Sequence, residues 1–251
     1  MPRISFLSDL HLFARRSTAD QYHDQIVEAA RESDVCILGG DIFDFRWSVY
    51  RTEDETAHAA VEWLRKFDEE TNHCRVHFLL GNHDDHPELL QRLPYLAEEL
   101  KTFEWSRYYY RLGDTFFLHG DVADKTMTAA CLESQRQSFA HGNRTELHNK
   151  LYDVAIKAQL HRLAPPAVYP CKRVAARILS YLESIGNGKS SGVEHVYFGH
   201  THRPMDHYLY KGIHFHNGGA PIGRAPFRIL KRDIPTDSPN GPVEGIDSHR
   251  A

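Results

Sequence analysis

Five short segments of the chain end in residues able to hold a metal ion: Ser8-Asp9-Leu10-His11, Gly40-Asp41-Ile42-Phe43-Asp44, Gly81-Asn82-His83-Asp84, His119-Gly120-Asp121 and Gly199-His200-Thr201-His202. Together they offer Asp9, His11, Asp41, Asn82, His119, His200 and His202, which are two carboxylates, one amide oxygen and four imidazoles, with no thiolate. That mixture suits borderline divalent ions such as Mn, Fe, Zn or Co and disfavours a structural thiolate zinc site. Seven ligands exceed what one catalytic ion with open positions takes; they suit two ions if one carboxylate is shared. In Asp-x-His and His-x-His the ligands stand at i and i+2, on the same side of an extended chain. Two divalent ions, the two carboxylates and a bridging hydroxide sum to about +1, a centre that attracts phosphate. Bound water whose pKa falls from about 15.7 towards about 7 supplies that hydroxide at neutral pH, and two ions can hold the attacking and phosphoryl oxygens for in-line displacement.

His83 is not needed as a ligand. Asp44 could orient it, and the pair would protonate the leaving oxygen or stabilise phosphoryl charge. The plainer alternative makes His83 a turn residue bonded to Asp84. Asp84 and Asp121 are read as groups that fix imidazole tautomers. Taken singly, Asp-x-His is a common chance match and Gly-Asn-His-Asp is an ordinary turn. Their weight comes from five of them in this order, each after a strand-like run.

The elements that must position these residues follow from apolar spacing. Arg3 to Ser8, Val35 to Leu38 and Val76 to Leu80 read as buried strands, with helical stretches at Asp20 to Ser33 and Glu53 to Glu70 between them. Strands alternating with helices predict an α/β fold, in which strand ends converge on one crevice. Arg107 to Leu112 and Thr115 to His119 read as paired strands around Gly113-Asp114. Helical stretches dominate from Val122 to about Ser184, and strands return at His195 to Phe198, Met205 to Tyr210, Ile213 to Asn217 and Phe227 to Leu230.

The 251 residues fit one α/β domain, read as residues 1–232 with a helical insert at about 122–190, followed by a Pro-, Gly- and Ser-rich tail at 233–251 expected to be flexible. An apolar content of 41% excludes a disordered chain, and a net charge of −4 excludes a polyelectrolyte built for bulk nucleic-acid binding. Cys36, Cys74, Cys131 and Cys171 are scattered and form no CxxC pair, so they read as free thiols. With no signal-peptide core and no membrane-spanning run, the expected location is the cytoplasm.

In these residues the sequence resembles the calcineurin-like metallophosphoesterases, whose signature is DxH, GDxxD, GNH(D/E), a later His and GHxH; the likeness covers about residues 3 to 230. It implies a four-layer α/β/β/α sandwich with a two-metal centre at one edge of the inner sheets. It also implies that Asp9, His11, Asp41 and His202 hold the first ion, and Asp41, Asn82, His119 and His200 the second. The phrases Asp9-Leu10-His11-Leu12, Gly40-Asp41-Ile42-Phe43-Asp44 and Gly199-His200-Thr201-His202-Arg203-Pro204, with the insert, are similar to one branch, the UDP-2,3-diacylglucosamine pyrophosphatases. That branch uses manganese, so manganese is the first expectation, with Fe, Zn, Co or Mg as alternatives. The chain departs from it at His83, where the branch has Arg; the His83 and Asp44 pair instead resembles the general phosphatase and phosphodiesterase branches.

Asp121 to Lys189 holds ten basic and six acidic residues, a net of +4 that leaves −8 for the rest. A basic insert over the centre suits a large anionic substrate, such as a nucleotide-lipid, or peripheral association with an anionic membrane face; an ordinary solvated helical face fits as well. The expected function is therefore hydrolysis of a phosphate ester or pyrophosphate bond, with no stable nucleic-acid partner. The alternatives are a general phosphodiesterase or phosphomonoesterase, nucleases included, and a non-catalytic scaffold, which should have lost ligands. Phe45 and Trp47 are placed to line a substrate mouth. His214 and His216 are read as partly exposed sheet residues, and no metal is expected at His73 or His77.

Overall fold

A computed structural model describes residues 1–72, 74–140, 169–223, 225–235 and 243–244 of the chain. Four parallel strands, β1 (Arg3–Leu7), β2 (Val35–Gly39), β3 (Arg75–Leu79) and β4 (Phe103–Ser106), form one sheet, with β10 (Leu230–Asp233) antiparallel on the β1 edge. The second sheet contains β5 (Tyr109–Leu112), β6 (Thr115–Leu118), β7 (His195–Phe198), β8 (Met205–Tyr210), β9 (Ile213–Asn217) and β11 (Val243–Glu244), in the order β11-β5-β6-β7-β9-β8.

Three apolar layers hold these sheets together. Helices α1 (His23–Arg31) and α2 (Glu53–Thr71) cover the first sheet, burying Ile26, Ala30, Ala60, Leu64 and Phe67 against Leu7, Leu38 and Phe78. A middle layer of Ile4, Phe6, Val35, Ile37, Leu79, Tyr110, Phe117 and Tyr197 lies between the sheets. Helix α6 (Cys171–Ser184) covers the second sheet through Val174, Ala175, Ile178, Leu179 and Leu182. The order is helix, sheet, sheet, helix, the expected sandwich. Helix α2 begins where the Thr52 hydroxyl accepts from Glu55 N at 3.1 Å, and Glu53, Asp54 and Glu55 occupy its first turn, where negative charge suits the helix dipole.

Several elements differ from expectation. β4 and the short helices α3 (Pro87–Leu90) and α4 (Leu93–Glu99) were not anticipated. The strand expected at Phe227 to Leu230 instead starts at Leu230, because Phe227 and Ile229 turn into the first core while alternately exposed residues continue the edge strand. The expected boundary at 232/233 falls inside this strand: Asp233 pairs with Arg3, and Ile234 is buried with its N–H bonded to Pro2 O. The rest of the expected tail, apart from Val243–Glu244, and the middle of the expected insert lie outside the described residues. Helix α5 (Ala129–Ala140) follows β6, and its Arg136 is fully buried, donating to Asp121 at 2.8 and 3.2 Å and to Arg107 O at 2.6 Å. Arg177 donates to Ala123 O and Asp124 O. Two of the ten cations counted towards an anionic ligand are therefore structural. The four cysteines are free. Among the described residues, no helix is long and apolar enough to cross a membrane.

Candidate metal centre

The loops that follow β1, β2, β3, β6 and β7 meet at one edge of the sandwich. Beyond the strands, Asp9 N–H bonds Gly40 O, His11 N–H bonds Asp41 O and Leu12 N–H bonds Ile42 O, all at 2.8 to 2.9 Å, so the first two motifs form one unit. Asp9, His11, Asp41, His200 and His202 have φ between 46° and 63°. This left-handed backbone costs a non-glycine residue about 1–2 kcal/mol and is concentrated at functional sites. Glycines make room for the carboxylates: a Cβ on Gly81 would stand 2.2 Å from Asp41 Oδ1, and one on Gly199 2.2 Å from Asp9 Oδ2.

Two clusters of ligand atoms result. Asp9, His11 and His202 form one, with His11 Nε2 3.1 Å from His202 Nε2 and His202 Nε2 3.4 Å from Asp9 Oδ1. Asp41, His119 and His200 form the other, with Asn82 Oδ1 3.1 Å from His119 Nε2 and 3.0 Å from His200 Nδ1. Asp41 Oδ2 faces both, at 3.2 Å from His119 Nε2 and 3.9 Å from His11 Nε2. The structure thus brings all seven expected ligand residues together.

The remaining contacts fix which nitrogens face inward. His11 Nδ1–H donates to Asp44 Oδ2 at 3.2 Å, His119 Nδ1–H to Gly39 O at 3.2 Å, and His200 Nε2–H to Asp124 Oδ1 at 2.8 Å. The inward nitrogens, His11 Nε2, His119 Nε2 and His200 Nδ1, are therefore the ones that offer lone pairs once deprotonated, and His119 Nε2 and His200 Nδ1 lie 3.3 Å apart. Buried lone pairs that face one another are tolerable only with a cation or proton between them, so the donor set fits a pair of ions sharing Asp41.

Residues 2–204 match the family model for calcineurin-like phosphoesterases. The chain belongs to this family. It is a metal-dependent phosphoric ester hydrolase of a family that works with two ions. No curated protein matches the sequence. Among solved structures, a dimetal phosphatase from Danio rerio overlays with a TM-score of 0.49 at 14% identity, covering 94% of this chain and 93% of that one. A second overlays with a TM-score of 0.44 at 12% identity, covering 88% of this chain and 91% of that one.

The charges of this phosphoesterase pull protons and cations towards the same nitrogens. Burial disfavours imidazolium at His11, but the hydrogen bond to Asp44 and the charges of Asp41, Asp44 and Asp9 outweigh it and raise the pKa to about 9. His119 is likewise opposed by burial and raised to about 10, chiefly by Asp41. Asp41 is held well below the usual range: burial works against it, and His119, His83 and His11 prevail. A raised pKa means that the protonated form persists below it and is lost above it. Both imidazoles are therefore cationic at pH 7 without metal, and loading must displace their protons. Calorimetry of metal loading at pH 7, in buffers of different ionisation enthalpy, should show about two protons released, with affinity rising as pH increases. Loading without proton release would refute this account.

Asp44 also accepts from His83 Nδ1–H at 2.9 Å, so one carboxylate holds a ligand imidazole and a non-ligand one. The turn alternative for His83, bonded to Asp84, is not what forms. Asp84 instead accepts from Ile42 N at 2.8 Å and from Gly81 N, locking two motif loops together; burial and the Asp41 charge raise its pKa to about 7. Asp121 is occupied by Arg136. Neither therefore fixes an imidazole tautomer, the role expected of both. That task at His200 belongs to Asp124, which also accepts from Tyr169 Oη at 2.7 Å. Asn217, the last residue of β9, is buried and donates to Gly199 O at 2.8 Å, fastening the Gly-His-Thr-His loop. Nothing in the local pattern around Asp124 marked it. Asn217 carried a faint signal as an amide at the end of a strand.

Proposed function

We propose that this phosphoesterase hydrolyses a phosphodiester or pyrophosphate bond in a substrate that carries a second anionic group beyond the scissile phosphate. The observation that supports it is a cleft of about 210 Å³ beside the metal centre, whose lining includes His11, His83 and His202 together with Arg16, Arg46, Trp47 and Phe139. The Arg46 guanidinium lies 4.2 Å over the Phe139 ring with its Nε buried and unpaired, and that of Arg16 lies 5.2 Å over Trp47. Cations backed by aromatic faces, lining the same cleft as three residues of the centre, suit a second phosphate. Of the two residues expected to line the mouth, Trp47 does so; Phe45 stacks on His86 at 4.8 Å instead.

Two divalent ions held by Asp9, His11, His202, Asp41, Asn82, His119 and His200 would neutralise phosphoryl charge and make water acidic enough to attack near neutral pH. The chain's own groups supply the rest. The His83 backbone N–H donates to Asp41 Oδ1 at 2.7 Å, and His200 N–H donates to Asp9 at 2.8 Å, so both carboxylates are fixed before substrate arrives. With Nδ1–H on Asp44, the His83 ring, which lines the cleft, keeps Nε2 as the atom that would give a proton to the leaving oxygen.

The lipid-nucleotide reading is a narrower form of the same proposal. Its support lies in the sequence phrases shared with the UDP-2,3-diacylglucosamine pyrophosphatases, and His83 weighs towards the broader class. A manganese assay over aryl phosphate, bis-aryl phosphate, cyclic nucleotide and UDP-2,3-diacylglucosamine tests both. We expect kcat/KM for a diester or pyrophosphate to exceed that for the aryl monoester by about tenfold or more, and Arg46→Ala to erase that preference through KM. Release of UMP would support the lipid-nucleotide form. Hydrolysis of aryl monoesters alone would overturn the proposal.

A further inference from the structure

A second gathering of imidazoles stands apart from the metal centre, on the edge of the six-stranded sheet. In the ladder His195 pairs with His214 and Tyr197 with His216, so these residues share the face turned towards the first sheet. Ile213 and Phe215, which alternate with them, point into the helix layer. Among the described residues, the apolar layer between the sheets takes none from β8 or β9. Imidazoles occupy that face instead: His195 Nδ1 lies 3.0 Å from His216 Nε2, and the His207 ring is 4.6 Å from His216 and 6.2 Å from His214. His216, expected to be a partly exposed sheet residue, is 2% exposed and stacks on Tyr197 at 4.4 Å.

The edge strand is bent where His207 enters this cluster. Met205 pairs with Asn217 and Tyr208 with Phe215, so three steps along β8 match two along β9. The extra residue makes a β-bulge, in which His207 has φ 47°, a conformation a β-strand does not use. Bulges re-aim side chains, and here the ligand atoms of Asp206, His207 and His216 lie within 4.8 Å of one another. Tetrahedral zinc wants its donors about 3.4 Å apart. Asp206 and His207 are on the surface and free to close that gap, while His216 is the fixed wall. His214 Nδ1 is buried there without a hydrogen-bond partner. Burial, then the neighbouring imidazoles and Arg232, lower His216 to about 3, so it is neutral and competent to ligate. The competing cation is Arg228, whose guanidinium lies 3.7 Å from Asp206 Oδ2 in an exposed pair, the kind that contributes little.

From this geometry we infer that the β8 bulge is a further metal site, where Asp206, His207 and His216 hold one divalent transition-metal ion of the zinc class. Two imidazoles and a carboxylate are an ordinary donor set for Zn, Co, Ni or Cu. The ion would tie the edge strand to β9, whose next residue, Asn217, fastens the Gly-His-Thr-His loop. Its role is structural and separate from the reaction.

The test is zinc stoichiometry on the full-length protein. After chelation and titration with zinc alone, wild type is expected to bind one more ion per chain than Asp206→Ala/His207→Ala, with aryl-phosphate turnover equal in the two. Zinc-soaked crystals should show an anomalous peak among Asp206, His207 and His216 that the double variant lacks, while peaks beside Asp41 persist. Asp41→Asn keeps the two readings separable, because it should lose the peaks of the centre and keep that of the bulge. Equal stoichiometry in wild type and double variant would overturn the inference. So would a bulge peak that appears only at soaking concentrations and has no counterpart in solution.

Discussion

Asp41→Asn is expected to lower phosphoester turnover by about 10³-fold or more, equivalent to ~4 kcal/mol of lost transition-state stabilisation, while the protein stays folded. The size follows from position. Among the described residues, Asp41 Oδ2 is the carboxylate oxygen that faces ligand nitrogens of both clusters, His119 at 3.2 Å and His11 at 3.9 Å. Removing its charge weakens both ion sites at once, whereas a change at Asp9 or His200 touches one. The substitution is also mild for the backbone. Asp41 has φ 52°, and asparagine is among the few non-glycine residues that adopt this conformation readily. An amide oxygen can still accept the His83 N–H. The circular dichroism spectrum and elution volume should therefore match wild type, and elemental analysis should show metal lost along with activity. Metal retained at wild-type stoichiometry would remove Asp41 from its shared role; a variant that retained turnover would displace the centre altogether.

The motif residues of this centre are legible because each carries its chemistry locally. Asp-Leu-His, Gly-Asp-Ile-Phe-Asp and Gly-His-Thr-His place ligands within a few positions of a strand end, and strand ends of an α/β sheet have only one crevice to share. The supporting groups are not local. Asp124 reaches His200 across 76 positions, through folds in the chain that no window of sequence displays; Asp44 reaches His83 across 39 and can be read only because both stand in motifs that share the crevice. Arg136 looks like any helical arginine until packing places it over Asp121. The left-handed backbone at Asp9, His11, Asp41, His200 and His202 is equally hidden, since aspartate and histidine adopt that conformation more often than most residues but far less regularly than glycine. Among the strands, those with apolar inner faces can be read. β10 cannot, because an edge strand needs no apolar pattern and Lys231, Arg232 and Asp233 supply none. β4 is short, with Glu104 within it, and α3 and α4 are too brief for a helical period to emerge.

His83→Ala is the second large effect, and its form separates a proton donor from a structural residue. Turnover of an ester with an alkoxide leaving group should fall by ~10²–10⁴-fold, the range of a lost general acid. Turnover of an ester of an acidic phenol, which leaves without a proton, should fall far less. A residue that only supported the loop would depress both alike. Metal stoichiometry should stay unchanged, because His83 presents its side chain to Asp44 and the cleft, and its contact with Asp41 is through the backbone N–H, which alanine keeps. Asp44→Ala should differ in kind. Asp44 is held far below the usual carboxylate range, against its burial, by His83 and His11 together, so its loss frees a ligand imidazole as well as the donor. That variant should lose metal affinity and leaving-group discrimination at once. The double variant His83→Ala/Asp44→Ala should then be little worse than Asp44→Ala alone, because the proton donor depends on its carboxylate partner. Full additivity of the two losses would show that His83 acts without Asp44, and an equal fall for both leaving groups would show that it gives no proton.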